Sequence, residues 1–146
     1  MVCFLIYLVV GLLPAEALNY EIIGELNIPQ IKLTSDVADV KLNNYILKTP
    51  DSIVGSFSRN ENKIFLFGHD SSVFKNLANL QIGDEIIYNS MIYHVKSIIV
   101  KDKSMISMSE LLKAEDQKTL VLMTCAGDYL NNGDATHRLI VTATSE

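Results

Sequence analysis

KTLVLMTCAGDYLNNGDATHRLIVTA, residues 118–143, holds two apolar runs separated by a polar stretch. Lys118–Thr124 is built from Leu, Val, Met and Thr, and Leu139–Ala143 sets apolar residues around Thr142. Both read as strands, because β-branched and apolar side chains fit a pleated, half-buried surface. Between Cys125 and Arg138 lie 12 residues, 126–137, with Asn132-Gly133 among them. That length is long for a hairpin and suits a functional loop. If the two strands pair antiparallel, the end of one lies beside the start of the next. Cys125 and Arg138 then stand at the same end of a sheet.

Outward from this pair the chain continues in short β-type pieces. Ile64-Phe65-Leu66-Phe67 reads as a buried strand ending at Gly68-His69-Asp70. Glu85–Tyr88 and Met91–Val100 read as a hairpin around Asn89-Ser90. Gly24–Leu33 alternates in part and is broken by Pro29, as an edge or entering strand would be. Val73, Phe74, Leu77 and Leu80 are spaced for one face of a short helix, and Met105–Glu115 has helical spacing with Ser107 or Ser109 as a cap. Val37–Leu47 reads as a short helix or irregular structure, and Thr49-Pro50-Asp51-Ser52 as a turn. Six or more short strands with two or three short helices predict a mostly β domain, closed as a barrel.

The 146 residues suffice for one domain, and 49% apolar with 20% charged residues predicts a packed body. The net charge is -5 and no run of Lys and Arg occurs. Phosphate binding needs clustered positive charge, so nucleic acid is not an expected partner. Val2–Leu13 is an unbroken run of apolar or small residues closed by Pro14. It falls short of the roughly 20 residues of a bilayer span. Ala15-Glu16-Ala17 has the small-x-small form of a cleavage site, yet the first basic residue is Lys32. The reading adopted is a truncated membrane anchor over residues 1–18, ahead of a cleaved signal peptide or a buried helix. Residues 19–146 form the domain, which the first two readings place outside the cytoplasmic membrane.

Cys3 lies in that N-terminal run, far from Cys125. A disulfide between them is not expected, and two isolated cysteines do not make a zinc cluster. Cys125 is therefore read as a free thiol. Alone, such a cysteine more often packs as a small hydrophobe. Beside a guanidinium its thiolate is favoured, and the guanidinium supplies donors to a developing oxyanion. A proton carrier is then needed, and histidine fits near neutral pH. His69 follows a buried strand, His94 lies inside a strand, and His137 points away from Arg138 if both are in one strand.

Four segments together resemble the sortase family. Val121-Leu122-Met123-Thr124-Cys125 is similar to its Thr-Leu-x-Thr-Cys signature. Arg138, in His137-Arg138-Leu139-Ile140-Val141, stands where the family has its arginine. Gly68-His69, then Phe74-Lys75-Asn76-Leu77 and Ile82-Gly83-Asp84-Glu85-Ile86, resembles the histidine segment, and Gly24–Pro29 the first strand. The resemblance covers roughly residues 22–143. The sequence departs from the pattern at Val121, at Asp70 after the histidine, and in a short segment between Leu47 and Lys63.

The resemblance implies a closed sortase-like β-barrel of about seven or eight strands with a few short helices. It implies a cysteine transpeptidase that cuts a sorting peptide of the Leu-Pro-x-Thr-Gly type through a thioester on Cys125. An amine of a cell-wall precursor or a pilin then resolves the thioester. His69 is the implied acid/base, Arg138 the oxyanion partner, and Thr124 a residue that helps position substrate or Arg138. No cofactor and no metal are implied; Asp128 and Asp134 in the polar loop read as solvated acids more readily than as calcium ligands. The expected location is the extracytoplasmic face of a bacterial cell membrane. Two other readings are a catalytically silent, membrane-tethered β-barrel binding module and a purely hydrolytic cysteine peptidase.

Overall fold

A computed structural model describes residues 20–145. The apolar run at residues 2–13 and the proposed boundary at residue 18 lie outside the described residues. Eight strands form a closed barrel: β1 (Glu21–Ile28), β2 (Leu33–Asp39), β3 (Val54–Asn60), β4 (Lys63–Phe67), β5 (Glu85–Tyr88), β6 (Met91–Asp102), β7 (Thr119–Tyr129) and β8 (Ala135–Ser145). Their order around the barrel is β1-β2-β3-β4-β7-β8-β6-β5. The β2–β3 and β4–β7 pairs are parallel and the others antiparallel. The expected mostly β barrel of seven or eight strands is thus the observed fold. Among the described residues no helix is long and apolar enough to cross a membrane.

Local chemistry accounts for several elements. Asn89 and Ser90, at the β5–β6 turn, have φ of 50° and 69°. Two successive left-handed residues make the tight turn whose twist matches the flanking strands. Pro29 opens a single 3-10 turn between β1 and β2, where its missing N–H costs nothing. Val73–Leu80 was expected to be a helix. It folds instead as turns and a 3-10 turn at Leu77–Asn79, but Phe74, Leu77 and Leu80 are buried, as the spacing requires. The helix expected over Met105–Glu115 shrinks to a 3-10 turn at Lys103–Met105 and one α-helical turn, α1 (Met108–Leu111). Ser107 caps α1, accepting from the Glu110 N–H at 3.4 Å.

Strand alternation divides the core in two. Leu66 of β4, Leu120 and Leu122 of β7, and Leu139 and Val141 of β8 point into the barrel and join its main core. Their neighbours Phe65, Phe67, Val121 and Ile140 point outward and pack with Val40 and Leu112 in a second cluster. The Phe65 and Phe67 rings stack with centroids 5.2 Å apart. Burying one such ring contributes roughly 1.5–3 kcal/mol. Lys63 fixes the connection that carries α1 over this outer face. Its ammonium is buried and donates to the Glu115 carboxylate at 2.9 Å and the Glu110 carbonyl at 3.3 Å.

Candidate active site

The outer faces of β4, β7 and β8 floor a groove of about 770 Å3. His69, Thr124, Cys125 and Arg138 all line it. Cys125 and Arg138 reach the groove through strand register, His69 from the turn after β4, and Thr124 from the opposite side of β7 to Cys125. Cys125 and Arg138 are direct cross-strand partners on β7 and β8, so their side chains share a face. Phe67 is level with Met123 in the parallel β4–β7 ladder, and the Gly68 N–H donates to the Met123 carbonyl at 3.3 Å. His69 follows two residues beyond the last ladder pair on one chain segment, as Cys125 does on the other. Neither His94 nor His137 lines the groove. His94 pairs with Glu85 and Thr144 elsewhere on the barrel, and His137 bonds through Nδ1 to Thr136 Oγ1 at 2.7 Å.

The turn carrying His69 is held on two sides. The Thr124 hydroxyl, in a buried side chain, donates to the Gly68 carbonyl at 2.7 Å. The His69 carbonyl accepts from the Phe74 N–H at 3.0 Å, and Phe74 is buried in the main core. Gly68 itself is required by close packing. A Cβ there would lie 2.6 Å from Val73 Cγ1 and 3.1 Å from Phe74 Cδ2. Asp70 is not a free carboxylate beside the histidine. It accepts from the Tyr129 hydroxyl, which joins the end of the histidine segment to the far end of β7. This bond pushes the Tyr129 pKa up to about 12.

Arg138 is bound on one side. Its Nη1 donates to the carbonyls of Ala135 and His137 at 3.1 and 3.0 Å, and its Nη2 to Asp134 Oδ1 at 2.9 Å. Asp134 Oδ2 accepts from Lys103 Nζ at 2.8 Å. The hydrogen bond from Lys103 leads the influences that hold the Asp134 carboxyl down at about 2. Cys125 is a free, partly buried thiol. Burial pushes its pKa up, the Arg138 charge opposes this, and the Asp70 and Asp134 charges add to it. A thiol shifted this way rests protonated near neutral pH.

The 12-residue loop expected between Cys125 and Arg138 is largely strand. β7 runs on to Tyr129 and β8 begins at Ala135, with an irregular register between Ala126 and Tyr129. Asp134, read from sequence as a solvated acid, instead bridges two cations. Among the described residues no group of three or more His, Cys, Asp or Glu side chains is arranged to hold a metal ion. The contributions of Tyr129, Asp134 and Lys103 were not read from sequence. The one local signal was the four-residue spacing of Asp134 and Arg138 across a turn.

Away from the thiol the groove becomes apolar. Leu42, Ile46 and Leu47 from the β2–β3 connection face Met108 and Leu112 from the α1 region.

No curated protein matches the sequence. Among solved structures, the lid mutant of sortase A from Corynebacterium diphtheriae superposes with a TM-score of 0.67 at 20% identity, over 87% of this chain and 71% of that one. Sortase A from the same organism gives 0.65 at 19%, over 87% of this chain and 61% of that one, so the present chain spans less than two thirds of it. A sortase D5 transpeptidase from Clostridium perfringens gives 0.66 at 23%, over 90% and 85%. These likenesses establish the fold. The family model for the sortase domain matches residues 26–146, far more than half of the sequence. The chain belongs to the sortase family.

Proposed function

We propose that this domain is a cysteine transpeptidase in which Cys125 is the nucleophile, His69 the acid/base and Arg138 the oxyanion partner. The observation that carries the reading is the direct pairing of Cys125 with Arg138 on one face, in a groove that His69 also lines. The thiol gives its proton to His69 as the sulfur attacks a peptide carbonyl. Negative charge then develops on the carbonyl oxygen within reach of the remaining Arg138 donors. Protonation of the leaving amine by His69 breaks the C–N bond and leaves a thioester. An acceptor amine attacks the thioester carbonyl, loses a proton to His69, and forms the new amide as Cys125 leaves. Thr124 acts on this site by holding Gly68, and through it His69.

The substrate fitting this reading is a sorting peptide of the Leu-Pro-x-Thr-Gly type, and the acceptor is an amine of a cell-wall precursor or a pilin. The domain, residues 19–146, would work on the extracytoplasmic face of the cell membrane, tethered by the apolar segment 1–18. Incubation with a panel of such peptides should give a covalent adduct at Cys125, seen by intact-protein mass spectrometry. Added amine should convert it to a ligated product. Unchanged cleavage by Cys125→Ala would refute the assignment, and cleavage without amine incorporation would identify a hydrolytic peptidase.

A further inference from the structure

Arg138 cannot be fixed by the barrel alone. It stands near the start of β8, partly exposed, where β6 and β7 flank it with Lys101 and Cys125. A long guanidinium side chain at such a position loses considerable rotamer freedom when it is held in one place. Here three of its five N–H donors are engaged: two on the carbonyls of Ala135 and His137 in its own strand, and one on Asp134 Oδ1 in the β7–β8 connection. The carbonyls are neutral acceptors. Asp134 supplies the one bond in which both partners are charged, the stronger of the two kinds of contact.

Asp134 is itself restrained on every side. Its Oδ1 also accepts from the Ala135 N–H at 2.8 Å, and its own N–H donates to Asn132 Oδ1 at 3.0 Å. Its carbonyl accepts from the Leu130 N–H at 2.7 Å. Its second oxygen is taken by Lys103, which opens the 3-10 turn after β6. The order Lys103, Asp134, Arg138 therefore runs from the end of β6 to the groove, each member anchoring the next.

We propose that Asp134 is the positioning residue for Arg138, and that Lys103 fixes Asp134 in that task, so that two guanidinium donors stay aimed at the substrate carbonyl. The inference rests on the transpeptidase reading above for its catalytic consequence, but the positioning itself does not. Asp134 positions the carbonyl site through Arg138, and its charge also helps raise the Cys125 pKa, so the NMR comparison rather than the rate alone reports the positioning. Without Lys103 the carboxylate keeps only its Oδ1 bonds, to the Ala135 N–H and Arg138, and its Oδ2 is no longer held. Without the Asp134 charge the guanidinium keeps only neutral partners.

Two measurements test this on the full chain. Arg59 and Arg138 are the only arginines in the sequence, so side-chain 15N NMR resolves Arg138 by comparison with Arg138→Lys. In the wild type its guanidinium signals should show slow rotation and high order. Asp134→Asn, which keeps an uncharged Oδ1 acceptor for both the Ala135 N–H and Arg138 Nη2, should lose much of that order; Lys103→Met should lose a smaller part of it. In peptide cleavage, with a Leu-Pro-x-Thr-Gly panel as probe, Asp134→Asn should lower kcat about tenfold and Lys103→Met about threefold, with KM within twofold. The two effects should not multiply, and Asp134→Asn should cost almost nothing in an Arg138→Lys background. Unchanged Arg138 order in Asp134→Asn would overturn the proposal, as would full multiplicative effects or a loss confined to melting temperature. If the wild type cleaves no peptide, the transpeptidase reading falls while the NMR comparison still decides the positioning.

Discussion

Thr124 gives its hydroxyl hydrogen to the Gly68 carbonyl at 2.7 Å, and so ties the residue before Cys125 to the residue before His69. The two segments are 56 residues apart in the chain. They belong to parallel neighbours, β4 and β7, whose ladder ends at Phe67 and Met123. The thiol and the imidazole are thus set by one continuous piece of sheet, extended by a single side-chain bond.

Replacing Thr124 with Val removes that bond while keeping the shape. The Gly68 carbonyl then loses its side-chain donor, which costs about 1–3 kcal/mol when the site is dry. A lower melting temperature is therefore expected for Thr124→Val and little change for Thr124→Ser. The kinetic effect should exceed the stability effect. A shift of His69 of about 1 Å can cost on the order of 100-fold in rate. Peptide cleavage by folded Thr124→Val at wild-type speed would contradict this role.

The bond between Tyr129 and Asp70 predicts an abnormal tyrosine. Tyr129 is an acid whose folded pKa, about 12, lies above the ordinary value of 10.0. The folded state holds the proton more tightly, so the bond stabilises below pH 10 and its contribution disappears as pH rises from about 10 to 12. Phenolate absorbance should show one late tyrosine that is missing in Tyr129→Phe. In Asp70→Asn its midpoint should move back toward 10. Burial also raises Tyr88 and Tyr93, which is why the comparison with Tyr129→Phe is needed. An unaltered titration in Asp70→Asn would remove the bridge from the solution structure.

Asp134 behaves in the opposite sense. Its folded pKa is about 2, below the ordinary 3.8. A depressed carboxyl contributes stability above its unfolded pKa and loses it as pH falls through the folded value. The window is therefore about pH 4 down to 2. Melting temperature should fall across that window in the wild type, and less steeply in Asp134→Asn. High salt should flatten the difference, since the carboxylate is partly exposed and its ion pairs are screened. Identical acid limbs for the two proteins would show that the ion pairs are not formed in solution.

What could be read in the sequence followed the reach of local patterns. The β5–β6 hairpin was legible because Asn89-Ser90 carries the turn chemistry and the flanks are apolar. The β7–β8 pairing was legible because both strands are apolar and close in the chain. β2 and β3 were not. β2 turns Ser35 inward, where its hydroxyl donates to the Asp36 carbonyl and accepts from the Val54 N–H, so the strand lacks a clean apolar face. β3 buries Gly55 and Ser56, with Gly55 packed so closely against Phe67 that a Cβ would lie 2.9 Å from its ring. The end of β7 runs into solvent, where apolar periodicity carries no signal, and the start of β8, Ala135-Thr136-His137, is short and mostly polar, so both read as loop. His69 depends on a parallel pairing made through a long crossover, which no local pattern announces. The Lys103–Asp134 ion pair spans 31 residues and was hidden for the same reason.

Gly68 offers the sharpest structural test of how His69 is placed. A methyl group at this position would sit 2.6 Å from Val73 Cγ1, inside any acceptable contact, and 3.1 Å from Phe74 Cδ2. Val73 is β-branched and has few rotamers to escape into, and Phe74 is fully packed in the main core. The strain must therefore fall on the turn itself, which also holds His69. Overpacking of this kind costs about 1–3 kcal/mol, so Gly68→Ala should fold with a lowered melting temperature. Its peptide cleavage should drop by about tenfold or more, because the imidazole moves relative to Cys125. Removing the obstructing branch should reverse this. Gly68→Ala with Val73→Ala opens the space that the new methyl needs, and should recover most of the lost rate even if some stability stays lost with the Val73 contacts. If the double variant is as slow as the single one, the clash with Val73 is not what displaces His69, and the left-over candidate is the Phe74 ring.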